Sequence, residues 1–374
     1  MKLAIVRQKY TPFGGAERFV ERALAALRNQ GTDVTVIARE WEGAADAGFL
    51  RCDPFYLGRT WRDAGFCRGV QRIVADGRFD LVQSHERIPG CHIFRAGDGV
   101  HATWLELRDR TRGRLARLAT ALSPWHRYTR AAEAAMFRHG RLRAVICNSK
   151  MVRDDIARRF GVAEERLHVI HNGVDLARFR PALRDEHRRS VRQALAIADD
   201  VPVILFVGSG FERKGLAVLL QALAGMARTK ATLLVVGRDG REGRYRRQAE
   251  ELGLAGRVRF LGGREDVRPY YGAADCFALP TLYDPLPNAA LEALACGLPV
   301  ATSTSCGAAE LIEEGKSGYI CDALDVRGLS QRLDALCEPG APSAMGPAAR
   351  RAVEGLDLAV MAARLTALYG TLAA

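Results

Sequence analysis

The chain has 374 residues, 48% of them hydrophobic and 26% charged, with a formal net charge of +12. That length accommodates two ordinary domains with separate cores, and the balance is that of a soluble globular protein. No window approaches the roughly 20 unbroken apolar residues of a membrane-spanning helix, and nine cysteines without a Cys-x-x-Cys pair indicate reduced thiols rather than a disulfide framework or a zinc ribbon.

Residues 3–6 read as a first buried strand. The run meets Arg7 after only four apolar residues, too short for a secretory h-region, so a cytoplasmic protein is expected. Phe19, Val20, Ala23, Leu24 and Leu27 then recur at helical spacing, and residues 34–38 complete a β-α-β opening. Further strands are expected at 81–83, 93–95 and 144–147. Asn148-Ser149 can cap a helix running to about Phe160. Between Trp104 and Arg143 lie ten arginines against three acids, a local net charge of +7. Trp104, Leu105, Leu115, Leu118, Leu122, Trp125 and Tyr128 interleave with them, as in a segment that lies on an anionic membrane surface. A solvated helical face would look similar. No aromatic platform or recognition module supports nucleic-acid binding.

Periodicity stops around His171-Asn172-Gly173-Val174-Asp175, and a charged stretch from Pro181 to Arg192 leads to a fresh strand at 203–207. The second half repeats the scheme: a helix from Gly215, a strand at 232–236, a helix near 245–252, strands at 258–261 and 276–279, a helix from Pro287, and a strand at 299–302. Strands separated by helices imply parallel sheets, which bind ligands at the carboxyl ends of their strands. The expected organisation is therefore α/β: residues 1–175, residues 176–355, and a terminal helix over 356–374 that packs back on the first domain.

Three segments carry candidate chemistry. Gly14 and Gly15, between the first strand and helix, let backbone N–H groups approach a phosphate at a helix N-terminus, although a glycine pair also serves as a tight turn. Gly208-Ser209-Gly210-Phe211-Glu212-Arg213-Lys214-Gly215 follows a strand directly; its glycine spacing and the lack of a ribose acid argue against a nicotinamide fingerprint. Arg213 and Lys214 instead suit a diphosphate, or are solvated loop charges. The third segment runs from Tyr283-Asp284-Pro285-Leu286-Pro287-Asn288-Ala289 to Glu292 and on to Gly297-Leu298-Pro299. Pro287 fits the first helical position and leaves the N–H groups of Asn288 and Ala289 for a phosphate. Glu292, among Leu291, Ala293 and Leu294, needs a hydrogen-bond partner such as a ribose diol, or else is an exposed helix acid.

Asp284-x7-Glu292 resembles the Glu-x7-Glu signature of glycosyltransferase family 4, the retaining enzymes of GT-B fold. The segment from Val169 to Asp175 is similar to that family's interdomain stretch, Arg213-Lys214-Gly215 to its diphosphate clamp, and Phe13-Gly14-Gly15 to its N-terminal loop. These motifs recur in order over most of the chain. The resemblance implies two Rossmann-like domains facing across a cleft, the first for the acceptor and the second for a nucleotide sugar. It assigns Glu292 to the ribose and Arg213 and Lys214 to the diphosphate. Asp284, with the backbone from Pro285 through Pro287 and Asn288 to Ala289, falls to the sugar hydroxyls and distal phosphate. Gly14 and Gly15 close on the diphosphate, and Arg264 is a candidate for the base. Asp98 and His101, after an N-domain strand, are donor or acceptor contacts, or else loop residues. One departure is the aspartate at 284, shorter by a methylene than the family's glutamate, which bears on the sugar.

The likeness is greatest to members that build the lipopolysaccharide core. It implies retaining transfer of a hexose, glucose from UDP-glucose, to an inner-core heptose by a peripheral enzyme on the cytoplasmic face of the inner membrane. Another sugar nucleotide, or a polyprenyl-linked or exopolysaccharide acceptor, is the alternative within the family. A non-catalytic basic membrane adaptor is the alternative outside it. No Asp-x-Asp occurs in the chain, so no metal and no other cofactor is expected.

Overall fold

The computed structural model describes residues 1–10, 32–41 and 48–373, so Gly14 and Gly15 lie outside the described residues. The chain divides into two compact units. One comprises Met1–Gly173 with Leu358–Ala374, the other Val174–Asp357. The division falls between Gly173 and Val174, against the 175/176 junction read from the sequence.

In the first unit a seven-stranded sheet runs in the order β5-β3-β1-β6-β7-β8-β9. Its strands are β1 (Lys2–Val6), β3 (Asp33–Ala38), β5 (Gly48–Arg51), β6 (Leu81–Ser84), β7 (Ile93–Arg95), β8 (Ala144–Cys147) and β9 (Leu167–Val169), while β2 (Lys9–Tyr10) pairs separately with β4 (Glu40–Trp41). All neighbouring strands are parallel. The central strands carry near-continuous apolar runs because helices cover both faces. On one face α1 (Gly58–Val74) packs Phe66, Val70 and Val74 against Ala4, Val6 and Val82. The other face takes the terminal helix, Leu358–Ala373, whose Met361, Leu365, Leu368 and Tyr369 cluster with Leu3, Ile5, Val34 and Ile93. Its Tyr369 hydroxyl donates to Gln83 Oε1 at 2.6 Å.

The second unit has six parallel strands in the order β12-β11-β10-β13-β14-β15. These are β10 (Val203–Val207), β11 (Thr232–Val236), β12 (Val258–Gly262), β13 (Cys276–Leu279), β14 (Val300–Ser303) and β15 (Gly318–Cys321). The chain winds outward from β10 to β12, then returns to lay β13 on the other side of β10. That reversal is the topological switch point, where loops from adjacent strands part and leave a crevice.

The charged stretch before β10 is a helix, Leu183–Ala194, rather than a connector. It buries only Leu183 and Arg192, so no apolar stripe advertised it. Three of its arginines converge on Asp275. Arg192 Nη2 lies 2.6 Å from Asp275 Oδ2, with Arg188 and Arg184 at 2.8 and 3.2 Å from Oδ1. All nine cysteines are free and buried.

Candidate active site

The loops leaving β10 and β13 meet at the switch point. Gly208 through Lys214 follow β10, and Pro280 through Asp284 follow β13. Backbone bonds join the two: Leu282 N–H and the Thr281 hydroxyl both donate to the Arg213 carbonyl, at 2.8 and 2.7 Å. Gly215 makes this approach possible. It sits at φ +78°, and a Cβ there would stand 1.9 Å from the Pro280 carbonyl oxygen, so a side chain would force the loops apart.

Lys214 and Asp284 are consequently both buried, with Nζ 2.5 Å from Oδ2. Arg213 Nη1 reaches the same oxygen at 3.3 Å and also donates to the Tyr283 carbonyl, yet its side chain remains 39% exposed. The carboxylate is fixed through its backbone: Asp284 N–H donates to Ser305 O, and Gly307 N–H donates to Asp284 O. Two cations and one anion thus share a low-dielectric edge of the sheet, leaving a surplus positive charge on the side that Arg213 opens to solvent. A buried pair of this kind is costly to assemble, and such costs recur where a site must be preorganised for a charged ligand.

The helix after this loop spans Asn288–Ala295, with Pro287 as its N-cap. Pro287 therefore precedes the first helical residue instead of occupying it. Its ψ of 123° is extended, while its carbonyl accepts from Ala290 N–H and Leu291 N–H, as a cap residue's does. Glu292 is half-buried on this helix, and its Oε2 accepts from the Tyr271 hydroxyl at 2.9 Å. The same hydroxyl lies 3.1 Å from the Ala289 carbonyl. Tyr271, itself 1% exposed, was not legible in the sequence: it sits in the short helix Arg268–Ala273, with no local pattern tying it to Glu292. Arg264 stands exposed on the loop after β12.

The first unit separates the two residues read after β7. Asp98 is exposed on the loop between Gly97 and Gly99. His101 is buried at the start of α2 (His101–Asp109), its N–H donating to Glu133 Oε1 at 3.0 Å. That oxygen also accepts from Arg87 Nε at 2.8 Å, and Arg87 Nη2 donates to the Gly99 carbonyl. His101 Nε2 lies 3.0 Å from His126 Nδ1. Burial, reinforced by neighbouring arginines, pushes His101 down to about 3 and His126 down to about 4. Both rings are therefore neutral near pH 7, and His101 braces the loop after β7.

Family models match both units: "Glycosyltransferase Family 4" over residues 13–178 and "Glycosyl transferases group 1" over residues 187–352. The chain is a family 4 glycosyltransferase. This glycosyltransferase is 29% identical to the lipopolysaccharide glucosyltransferase WaaG of Escherichia coli K12, over 86% of its own length and 85% of that protein's. A crystal structure of WaaG superposes with a TM-score of 0.83 at 26% identity, covering 98% of this chain and 99% of that one. The fold is accordingly GT-B, as the parallel sheets of the two units suggested. Anabaena HepE, solved with UDP-glucose, shares the fold at a TM-score of 0.74 and 21% identity over 99% of this glycosyltransferase and all of HepE. Among the described residues no helix is long and apolar enough to cross a membrane, and no group of three His, Cys, Asp or Glu is placed to hold a metal ion.

Proposed function

We propose that this glycosyltransferase moves glucose from UDP-glucose to an inner-core heptose of lipopolysaccharide, with retention. The observation that carries the donor half of this reading is the Arg213–Lys214–Asp284 cluster at the switch point. Breaking a glycosyl–phosphate bond builds negative charge on the leaving diphosphate. Cations fixed before the reaction stabilise that charge more than they stabilise the bound substrate. Lys214 supplies a buried point charge, Arg213 a solvent-facing fork, and the helix start at Asn288 and Ala289, behind the Pro287 cap, N–H dipoles. Glu292, held by Tyr271, takes the ribose diol. Asp284 orients Lys214 and borders the sugar, with Asp98, Gly14 and Gly15 assigned to the first unit's share of the contacts and Arg264 to the base. With the cations in place and no Asp-x-Asp in the chain, no metal is required, and EDTA leaves turnover unchanged.

The acceptor half rests on the likeness to lipopolysaccharide glycosyltransferases and on the surface of the first unit. The helix Arg114–Leu122 buries only Thr120, and its Leu115, Leu118 and Leu122 form an i, i+3, i+7 stripe beside exposed Arg114 and Arg117. We read this helix as a peripheral contact with the anionic leaflet that carries a lipid-linked acceptor. Saturation-transfer NMR against UDP-glucose, UDP-galactose, UDP-N-acetylglucosamine and GDP-mannose tests the donor, and turnover on defined truncated core acceptors tests the rest. Preference for UDP-glucose and transfer to a heptose-terminated core is the expected result. Exclusive saturation of GDP-mannose, or transfer only to a polyprenyl acceptor, would overturn it.

A further inference from the structure

We infer that the segment at residues 54–61, a loop running into the first turn of α1, is a second membrane-inserting element, which acts with the Arg114–Leu122 helix as one two-footed platform on an anionic bilayer. The inference deepens the membrane reading above and rests on it.

Ten large apolar residues are exposed among the described ones, and seven of them fall in just two short segments: Phe55, Tyr56, Leu57 and Trp61 in one, Leu115, Leu118 and Leu122 in the other. Phe55 is 73% exposed and Leu57 70%, values more usual for lysine than for side chains of this kind. Local chemistry does not account for them. Leu57 is the N-cap of α1 and offers no side-chain bond to the orphan N–H groups there, where Ser, Thr, Asp or Asn would add about 1 kcal/mol. The exposed apolar residue thus stands where stability asks for a polar one, a conflict between local and global requirements that marks function.

The two segments are neighbours through Trp125, three residues after Leu122. Its indole N–H donates to Asp63 Oδ2 on α1 at 2.7 Å, and Arg59 lies over its ring, 4.6 Å from the centroid. Phe55 in the loop and Trp61 on α1 pack edge-to-face at 5.8 Å, so the segment presents a preassembled aromatic wedge. Exposed arginines accompany the two segments: Arg59 on α1, over the Trp125 ring, and Arg114 and Arg117 on the Arg114–Leu122 helix. An apolar patch interspersed with cations repels a second copy of itself and attracts an anionic surface, while aromatic side chains with a polar edge favour the headgroup layer. The occupant that fits is a bilayer rich in anionic phospholipid.

Flotation with vesicles of phosphatidylglycerol and phosphatidylethanolamine tests this on the full chain. F55S/L57S is expected to bind at least about tenfold more weakly than wild type, a loss that even partial insertion of the two apolar side chains accounts for. Its dependence on salt should be unchanged, because every arginine remains. Brominated lipids should quench wild-type tryptophan fluorescence, and Trp61→Phe should remove part of that quenching. Turnover on a soluble, lipid-free acceptor should stay at the wild-type value, which separates lost docking from lost folding. Undiminished flotation of F55S/L57S, in a series where L115S/L118S does detach, would overturn the second element. A wild-type dimer that F55S/L57S converts to monomer would overturn it in favour of a contact between copies. Wild-type protein that floats with no vesicle would instead remove the membrane reading beneath it.

Discussion

Arg192, in the Val174–Asp357 unit, is 1% exposed and closes on Asp275 together with two further arginines; Leu115, in the other unit, is 84% exposed on a helix that buries a single threonine. Both units have the same parallel-sheet plan. They differ in where they spend polar and apolar groups. The second buries charges at both ends of its sheet: Asp275 with Arg192 at the amino ends of β10 and β13, and Lys214 with Asp284 at the carboxyl ends, where the switch point lies. The first also buries an ion pair, Glu133 with Arg87, beside the neutral rings of His101 and His126, but it turns arginine and leucine outward as well. A small charged substrate is best met by fixed charges inside a crevice, whereas an extended or lipid-borne one requires surface.

The comparison breaks most visibly at Asp275. Asp275→Ala leaves Arg192 buried without its anion, a change of about 3–5 kcal/mol, and denaturant unfolding should show that loss. A shift under 1 kcal/mol would mean the inward charges of the second unit contribute nothing to it. Next in size, Lys214→Ala removes a charge-assisted bond of about 1.5–3 kcal/mol, so transfer should fall roughly tenfold to a hundredfold. K214A/D284N, which also removes the stranded carboxylate, should recover stability without recovering rate. Full activity in both variants would reduce Lys214 to a structural cation. Tyr271→Phe is milder. Losing one neutral hydrogen bond of about 1 kcal/mol should raise the donor KM a few-fold and leave kcat nearly unchanged, whereas an equal fall in kcat and kcat/KM would place Tyr271 in the transition state.

The smallest effect sharpens the contrast by pH. His101 and His126 hold their folded pKa values below the ordinary value of about 6.5. Between those limits the unfolded chain binds protons that the native unit does not. Stability from this pair is complete above about pH 6.5 and declines as pH falls towards 4. Thermal melts of wild type against His101→Gln should show a shallower acid slope in the variant. Identical slopes would mean that the rings are not held neutral.

Most of the second unit was legible because its site is assembled from short contiguous runs. Gly208 to Gly215 and Asp284 to Glu292 each follow a strand and lead into a helix, so spacing put each run at a strand's carboxyl end, and the resemblance to family 4 joined Arg213, Lys214 and Asp284 in one site. What spacing could not give was the partner across the fold. Tyr271 meets Glu292 from 21 positions away, and Glu133 reaches His101 from 32. The helix Leu183–Ala194 escaped notice for a related reason: charges that converge on one buried aspartate look like a solvated linker when read in line. The exposed segment around Phe55 was equally silent, since an apolar run beside a glycine reads as core until its surroundings are known.

The terminal helix has a bearing on synthesis. Its residues cover the sheet face formed by Leu3, Ile5 and Val34, so a face made before the Val174–Asp357 unit waits for a helix made after it. The Val174–Asp357 unit is one uninterrupted stretch and can close as soon as it is made. Domains usually mature in order of translation; here the order inverts. A nascent chain halted short of residue 358 carries a finished second half beside a first half with one bare hydrophobic side, the form in which chaperones would meet it.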